Sequence, residues 1–125
     1  MTTGNYDVLT IYGIPNCDTC RNARKWLYKK SVQYCFHDFR SDGLDIETLT
    51  RWADRTDWQK LLNTRSLTWR KVPQAERESM TMGGAISLML VQPTLIKRPV
   101  LECEDCIAIG FSPEQYENLA LQTGD

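Results

Sequence analysis

The chain has little of what several common kinds of protein chemistry require. Its 125 residues include a single histidine, so a histidine-based metal site or a Ser-His-Asp triad is poorly supported. Glycine is scarce as well, with seven residues, and no glycine-rich phosphate-binding loop is present. The longest apolar run, residues 85–91, is interrupted by Ser87 and is far shorter than the roughly 20 residues of a membrane span. The first residues, MTTGNYDV, lack the basic and apolar segments of a signal peptide.

Basic side chains are absent from the last 24 residues. Residues 1–101 carry all 15 Lys and Arg together with 10 Asp and Glu, a balance of +5, whereas residues 102–125 carry six acidic side chains, a balance of −6. Neither part is a block of like charge, so we expect no nucleic-acid-binding tail and no direct nucleic-acid partner. The first part could still form a cationic site within a chain whose net charge is only −1.

Five cysteines, an odd number, do not form a disulfide framework. The length fits one domain that can fold without disulfides. We therefore predict a single domain over residues 8–125, preceded by a flexible N-terminus at residues 1–7. We also predict a reducing, cytoplasmic setting, in which thiols carry chemistry rather than holding the fold together.

The first 40 residues have the pattern of a β-strand, an α-helix and a second β-strand. Residues 8–12 are β-branched and aromatic and end at Gly13, and residues 33–39 form a similar run. Between them, residues 17–29 show helical spacing, with Cys20, Ala23 and Leu27 on one face. This order predicts two parallel strands joined by a right-handed crossover.

The rest of the chain completes a thioredoxin-like order. Residues 41–97 are mostly helical, and we predict that they form an inserted helical subdomain. Residues 100–102 and 107–110 are short apolar runs around a polar turn, typical of a β-hairpin. Ser112 and Pro113 then have the pattern of the start of a closing helix. The predicted fold class is therefore α/β, a thioredoxin-like βαβ…ββα fold with a helical insertion.

Cys17 and Cys20 lie where the first strand gives way to the first helix. Backbone N–H groups at a helix N-terminus favour a negative charge, and cysteines in this position have pKa values below the usual value of about 8.5. Cys17 would therefore be a nucleophilic thiolate, and Cys20, one turn later, could resolve a mixed disulfide. Two buried, unreactive helix cysteines are the simpler alternative.

A second CxxC pair, Cys103 and Cys106, lies in the polar turn of the hairpin. A zinc site shared with Cys17 and Cys20 is one reading, but 82 residues separate the two pairs, far more than in common zinc sites. We expect no bound metal, and we expect this pair to be two ordinary thiols or an accessory redox pair. Cys35, in the second strand, is expected in the core.

Several motifs resemble the ArsC/Spx family, in particular its YffB branch. The match extends over about residues 8–120, with the motifs in the family's order: YGIPNCDTCR at 12–21, FHDFR at 36–40, LLNTR at 61–65, TWRK at 68–71, IKRP at 96–99 and GFS at 110–112. The resemblance implies a thioredoxin-like fold with an inserted helical subdomain, and Cys17 as the nucleophile.

The resemblance also implies the remaining site residues. Arg98 and Pro99 would form the loop that faces Cys17, with Pro99 in the cis conformation and Arg98 as a fixed cation beside the thiolate. Arg21 is close enough to the first turn to stabilise the thiolate as well. The candidate residues for binding the substrate are Arg21, Asn63, Arg65, Arg70 and Pro99.

Within this family the chain departs from the arsenate reductases. Gly13 stands where those enzymes carry a histidine, Asn63 stands where they carry an arginine, and no arginine follows Arg98. Because a tetrahedral oxyanion needs several converging cations, arsenate reduction is disfavoured.

The sequence therefore predicts a cytoplasmic thiol-disulfide oxidoreductase, glutathione-dependent, with no bound cofactor and no membrane partner. Its partner would be glutathione, another small thiol or disulfide, or a protein disulfide. An Spx-like redox-sensing regulator that binds RNA polymerase is the alternative, and a zinc-stabilised binding module is the third reading.

Overall fold

The computed structural model describes residues 9–119, so the predicted flexible segment 1–7 lies outside the described residues. Four strands, seven helices and a 3₁₀ turn follow one another in this range. Their bounds are β1 Leu9–Gly13, α1 Asp18–Lys29, β2 Tyr34–Asp38, α2 Ile46–Arg55, α3 Trp58–Leu61, α4 Leu67–Arg70, α5 Gln74–Glu78, α6 Met82–Val91, the 3₁₀ turn Pro93–Leu95, β3 Val100–Cys103, β4 Cys106–Ile109 and α7 Pro113–Glu117.

The four strands form one sheet in the order β2-β1-β3-β4. β1 and β2 are parallel, as the crossover through α1 requires. β3 is antiparallel to β1 and to β4, with which it forms the predicted hairpin. The predicted α/β, thioredoxin-like order of elements is therefore confirmed.

One face of the sheet packs against α1. Alternation along β1 buries Leu9 and Ile11, and the helical spacing of α1 buries Ala23 and Leu27 on the same core cluster. Tyr116 of α7 is fully buried in that cluster, with its ring edge-on to Trp26 at 5.6 Å between ring centroids. This packing fixes the first turn of α1 against the end of β1.

The prediction that Cys35 belongs to the core is wrong. Cys35 is exposed, and it pairs in register with Thr10, whereas its neighbours Tyr34 and Phe36 pair with Leu9 and Ile11. Because side chains alternate along a strand, Tyr34 and Phe36 face the core cluster and Cys35 faces the other side of the sheet. Apolar character alone did not indicate which face Cys35 occupies.

The chain divides into two compact units. One contains the described residues up to Asp42 together with those from Arg98 onward, and the other is Gly43–Lys97. In the second unit, Asp45 caps α2 by accepting a hydrogen bond from the Thr48 N–H at 2.8 Å, and Thr81 caps α6 in the same way through Gly84. Trp52 is fully buried in α2.

Within residues 9–119, no helix is long and apolar enough to cross a membrane. The apolar helix α6 has 10 residues. At 1.5 Å per residue it is about 15 Å long, roughly half the thickness of a bilayer's hydrocarbon core.

Candidate active site at the start of helix α1

Cys17 is the N-cap residue of α1. Its backbone is extended, with φ −147° and ψ 121°, and its carbonyl accepts the first helical hydrogen bond from the Arg21 N–H at 2.9 Å. The side chain is partly exposed. Cys17 therefore combines access from solvent with the N–H-rich end of a helix, where negative charge is favoured.

Opposing effects act on the pKa of Cys17, and the net result is a pKa below the ordinary value of a cysteine thiol. Partial burial is the largest single effect, and it raises the pKa. Hydrogen bonds from the backbone and the thiol of Cys20, together with a hydrogen bond and the positive charge of Arg98, lower the pKa by more than burial raises it. The site therefore favours Cys17 as a thiolate.

Sheet pairing places Arg98 beside Cys17. Val100, the first residue of β3, pairs with Tyr12 near the end of β1, so the chain before β3 passes the turn that leads to Cys17. The Arg98–Pro99 peptide bond is cis, as the family resemblance implied, and Pro99 is fully buried. The Arg98 guanidinium then hydrogen-bonds to the Cys17 sulfur.

Cys20 differs sharply from Cys17. It is fully buried on the inner face of α1. Burial, the largest effect, and the negative charge of Cys17 raise the pKa of Cys20 to about 11, against a smaller lowering by a backbone hydrogen bond from Ile14 and by Arg98. The arrangement therefore favours a thiolate at Cys17 and keeps Cys20 a protonated thiol at neutral pH.

Gly13 makes room for the Cys20 thiol. A Cβ atom built at Gly13 would lie 2.5 Å from the Cys20 sulfur but 3.6 Å from the Cys20 Cβ, which is ordinary contact. The sequence showed Gly13 only as a departure from the histidine of arsenate reductases. The structure shows that any side chain at position 13 would collide with the sulfur of Cys20.

Arg21 is engaged elsewhere in the first turn. Its guanidinium forms an ion pair with Asp18 and donates a hydrogen bond to the Pro15 carbonyl at 3.4 Å. The expectation that Arg21 stabilises the Cys17 thiolate is therefore not supported by its contacts, and the cation at the sulfur is Arg98. The ion pair with Asp18 accounts for the difference, because it offsets the charge that Arg21 would offer to Cys17.

Three of the predicted substrate-binding residues, Asn63, Arg65 and Arg70, lie in the Gly43–Lys97 unit. The Asn63 N–H donates to the Leu95 carbonyl at 2.7 Å, and the Asn63 side-chain oxygen accepts from the Arg65 N–H at 3.3 Å. Arg65 is exposed in this turn, and Arg70 is exposed at the end of α4. The role of Asn63, Arg65 and Arg70 in binding a substrate stays a prediction.

Cys103 and Cys106 are joined by a disulfide. Of the two interpretations of this pair, that of two ordinary thiols is wrong, because strand pairing brings their backbones together, and that of an accessory redox pair stays a prediction. In this state the two sulfurs that a shared zinc site would need are bonded to each other. Among the described residues, no group of three or more His, Cys, Asp or Glu side chains is arranged to hold a metal ion.

The lowered pKa of Cys17 predicts how its alkylation depends on pH. The rate of reaction with iodoacetamide should reach half of its maximum at a pH below the ordinary cysteine value of about 8.5. Arg98→Gln should move this midpoint upward, because it removes a hydrogen bond and a positive charge from the sulfur. Lys97→Gln, which removes the same charge one residue earlier, should move it much less. Equal midpoints in all three proteins would contradict the assignment of Arg98.

The burial of Cys20 predicts selective labelling of the native protein. At pH 8, brief iodoacetamide treatment followed by peptide mapping should find Cys17 and the exposed Cys35 alkylated and Cys20 unmodified. Unfolding the protein should make all three reactive. Equal labelling of Cys20 and Cys17 in the native state would show that Cys20 is neither buried nor held as a thiol.

The contact between Gly13 and Cys20 predicts a coupled loss of stability. Gly13→Ala should lower the free energy of unfolding through overpacking against the Cys20 sulfur, by about 1–3 kcal/mol. The loss should largely disappear in a Cys20→Ala background, where only ordinary contact remains. Gly83→Ala, in α6 with open space at its Cβ, is the control and should stabilise by about 0.5–1 kcal/mol. Equal losses for Gly13→Ala in both backgrounds would refute the contact.

Comparison with known proteins places this site in a family. Residues 12–119 match the ArsC family. The solved structure of a protein named YFFB superposes with a TM-score of 0.84 at 43% identity, covering 92% of this chain and 100% of that one. An arsenate reductase (ArsC) related protein from Brucella melitensis gives a TM-score of 0.75 at 46% identity, covering 89% and 92%.

A regulator is also among the relatives. The global transcriptional regulator Spx of Streptococcus pyogenes is 27% identical over 110 residues, which cover 86% of this chain and 81% of Spx. The family match extends from the end of β1 to the last described residue, so it includes both Cys17 and Arg98. The chain belongs to the ArsC family and has its thioredoxin-like fold.

Proposed function

We propose that the protein is a thiol-disulfide oxidoreductase in which Cys17 is the nucleophile. The observation that carries the proposal is the contact between the Cys17 sulfur and Arg98 at the N-terminus of α1, which favours a partly exposed thiolate. A thiolate is the attacking species in thiol-disulfide exchange. Membership of the ArsC family supports the same chemistry.

In the proposed reaction, the Cys17 thiolate attacks one sulfur of a substrate disulfide. The substrate S–S bond breaks, a mixed disulfide forms on Cys17, and the other half of the substrate leaves as a thiolate that takes a proton. A second thiol then attacks the Cys17 sulfur and releases the bound half, so that two electrons pass to the substrate. A further thiol then attacks the partner sulfur of the disulfide left on Cys17 and releases Cys17 as a thiolate. Arg98 stabilises the Cys17 thiolate before the first attack and again on this release.

Either Cys20 or glutathione is the second thiol in the proposed cycle, and reduced glutathione then reduces the disulfide that remains on Cys17. The sulfur of Cys20 hydrogen-bonds to that of Cys17, so attack by Cys20 needs little rearrangement. Its raised pKa opposes this attack, but the negative charge of Cys17 contributes to that rise and is gone once the mixed disulfide has formed. Cys20 is thus a better nucleophile in the intermediate than in the resting protein.

Glutathione is the proposed co-substrate. It carries a net negative charge, which suits the Arg98 cation at the Cys17 sulfur. Asn63, Arg65 and Arg70 remain the proposed additional contacts for its carboxylates. A cytoplasmic location, where reduced glutathione is abundant, is part of this proposal, and a protein disulfide is the other proposed partner.

A redox-sensing regulator is the second candidate function. Its support is the similarity to Spx, which extends over most of both chains. This candidate predicts a complex with RNA polymerase whose affinity differs between the reduced and oxidised Cys17–Cys20 pair. Lack of co-purification with the polymerase in both states would remove this candidate.

Arsenate reduction is less well supported, because Arg98 is the only arginine identified at the Cys17 sulfur among the described residues.

The proposed cycle makes a direct prediction for intact-mass measurements with oxidised glutathione. Cys20→Ser should accumulate one glutathione at Cys17, because the internal resolving thiol is missing. Cys17→Ser should form no adduct at position 20, because Cys20 is buried and protonated. If Cys20 resolves the mixed disulfide, the wild type should pass through the glutathione adduct to a Cys17–Cys20 disulfide. If Cys20 does not resolve it, the wild type should keep the adduct until reduced glutathione is added.

Cys35→Ser provides the matched control for this experiment. It removes an exposed thiol outside the site, so the adduct at Cys17 should form at the wild-type rate. The absence of a Cys17 adduct in Cys20→Ser, under conditions where Cys35 is modified, would overturn the proposed role of Cys17.

A further inference from the structure

The tip of the β3–β4 hairpin holds a second pair of cysteines that the proposed function does not use. Cys103 and Cys106 pair in register across a two-residue turn formed by Glu104 and Asp105. Their Cα atoms are 5.1 Å apart, within the usual range of disulfides, and the two sulfurs are bonded. Hairpin geometry alone therefore brings this pair together, without help from the rest of the chain.

This pair lies at the other end of the sheet from Cys17. Val100 pairs with Tyr12 near the end of β1 that leads to Cys17, and Glu102 pairs with Thr10 near its start. Cys103 follows Glu102 and is therefore three strand residues, about 10 Å, beyond Val100. Within one molecule the two CxxC pairs cannot exchange directly, because exchange requires the attacking and the attacked sulfur to be in contact.

The surroundings of the two pairs have opposite charge. Cys17 lies beside Arg98, whereas the turn between Cys103 and Cys106 carries the exposed Glu104 and Asp105. No Lys or Arg follows Arg98 in the chain. On the inner side, both hairpin cysteines pack against the apolar core cluster. Both are partly accessible.

We propose that Cys103 and Cys106 form a second redox site, which exchanges with neutral or cationic small thiols and disulfides in preference to anionic ones. On oxidation, one protein thiolate attacks a small disulfide, and a mixed disulfide forms as one half leaves as a thiol. The second cysteine then attacks this intermediate and releases the other half. Two electrons and two protons pass to the small disulfide, and one protein S–S bond forms. Reduction by a small thiol is the reverse.

The charge preference follows from electrostatics at the attacked sulfur. An anionic disulfide such as oxidised glutathione must approach the carboxylates of the turn, whereas a cationic one is attracted to them. The interaction is exposed to solvent, so added salt should screen it. The acidic turn disfavours glutathione at the hairpin pair, whereas the cationic Arg98 favours it at Cys17. The two sites would therefore react with thiols and disulfides of different charge.

The test uses the chain with Cys17→Ser, Cys20→Ala and Cys35→Ser, which leaves only the hairpin pair. This variant lacks the proposed active-site thiols, so its outcome is independent of the proposed function. After reduction, it is incubated at low salt with cystamine, 2-hydroxyethyl disulfide or oxidised glutathione, which are cationic, neutral and anionic. Intact mass follows the loss of two hydrogen atoms as the disulfide forms. The expected order of rates is cystamine, then 2-hydroxyethyl disulfide, then oxidised glutathione, with a spread of roughly tenfold or more.

Neutralising the turn should remove this preference. Glu104→Gln with Asp105→Asn should bring the three rates, each corrected for the reagent's rate with a small model thiol, to within about twofold, and high salt should act in the same direction. Asp54→Asn, an exposed carboxylate in the Gly43–Lys97 unit, is the control and should leave the order unchanged. Failure of the pair to oxidise with any reagent, or equal corrected rates before neutralisation, would overturn the proposal.

A second measurement covers the case in which the triple variant does not fold. In the wild type, Cys17 and Cys35 are alkylated while the hairpin disulfide is intact. The disulfide is then reduced, the protein is treated with cystamine, and it is cleaved after Glu104, between the two cysteines. Two peptides linked through Cys103 and Cys106 are expected after cystamine treatment. Two unlinked peptides under the same conditions would contradict the site.

Discussion

The contact between the Arg98 guanidinium and the Cys17 sulfur is the interaction on which the rest of the site depends. Burial alone would raise the pKa of Cys17, and hydrogen bonds from Cys20 together with this cation reverse the direction. The contact is a product of the fold, because pairing of β3 with β1 brings a residue 81 positions later in the chain to the turn before α1. The cis peptide bond before Pro99 lies at the same point.

The two thiols of the CxxC motif have different surroundings because one helical turn separates an open position from a closed one. Cys17 caps α1 and reaches solvent, whereas Cys20 points into the core beside Gly13. Gly13 is therefore part of the site, because its lack of a side chain leaves space for the Cys20 sulfur. That sulfur hydrogen-bonds to Cys17 and stays protonated at neutral pH. A residue with a side chain at that position would favour a site with one cysteine.

Much of this could be predicted from the sequence, because it depends on local patterns. The strand, turn and helix around Cys17, the hairpin after Pro99 and the parallel pairing of the first two strands follow from periodicity and turn residues. Contacts that depend on the choice of a face or a partner could not be predicted in this way. The exposure of Cys35 depends on the register of β2, the pairing of Arg21 with Asp18 competes with Cys17, and the hairpin disulfide requires the two strands to be in register.

Hydrogen bonds from Cys20, together with the hydrogen bond and charge of Arg98, hold the pKa of Cys17 below the ordinary value of a cysteine thiol. The measurement that tests this is a titration of the ultraviolet absorbance of thiolates in the Cys35→Ser protein with the hairpin disulfide intact. Subtracting the same titration of the protein with Cys17→Ser, Cys20→Ala and Cys35→Ser removes the absorbance of the ionised tyrosines, so that the difference reports Cys17 and Cys20. Two separate ionisations are expected, that of Cys17 below the ordinary cysteine value and that of Cys20 near pH 11. Arg98→Gln should move the first ionisation upward. Two overlapping ionisations at the ordinary value, unchanged by Arg98→Gln, would contradict this expectation.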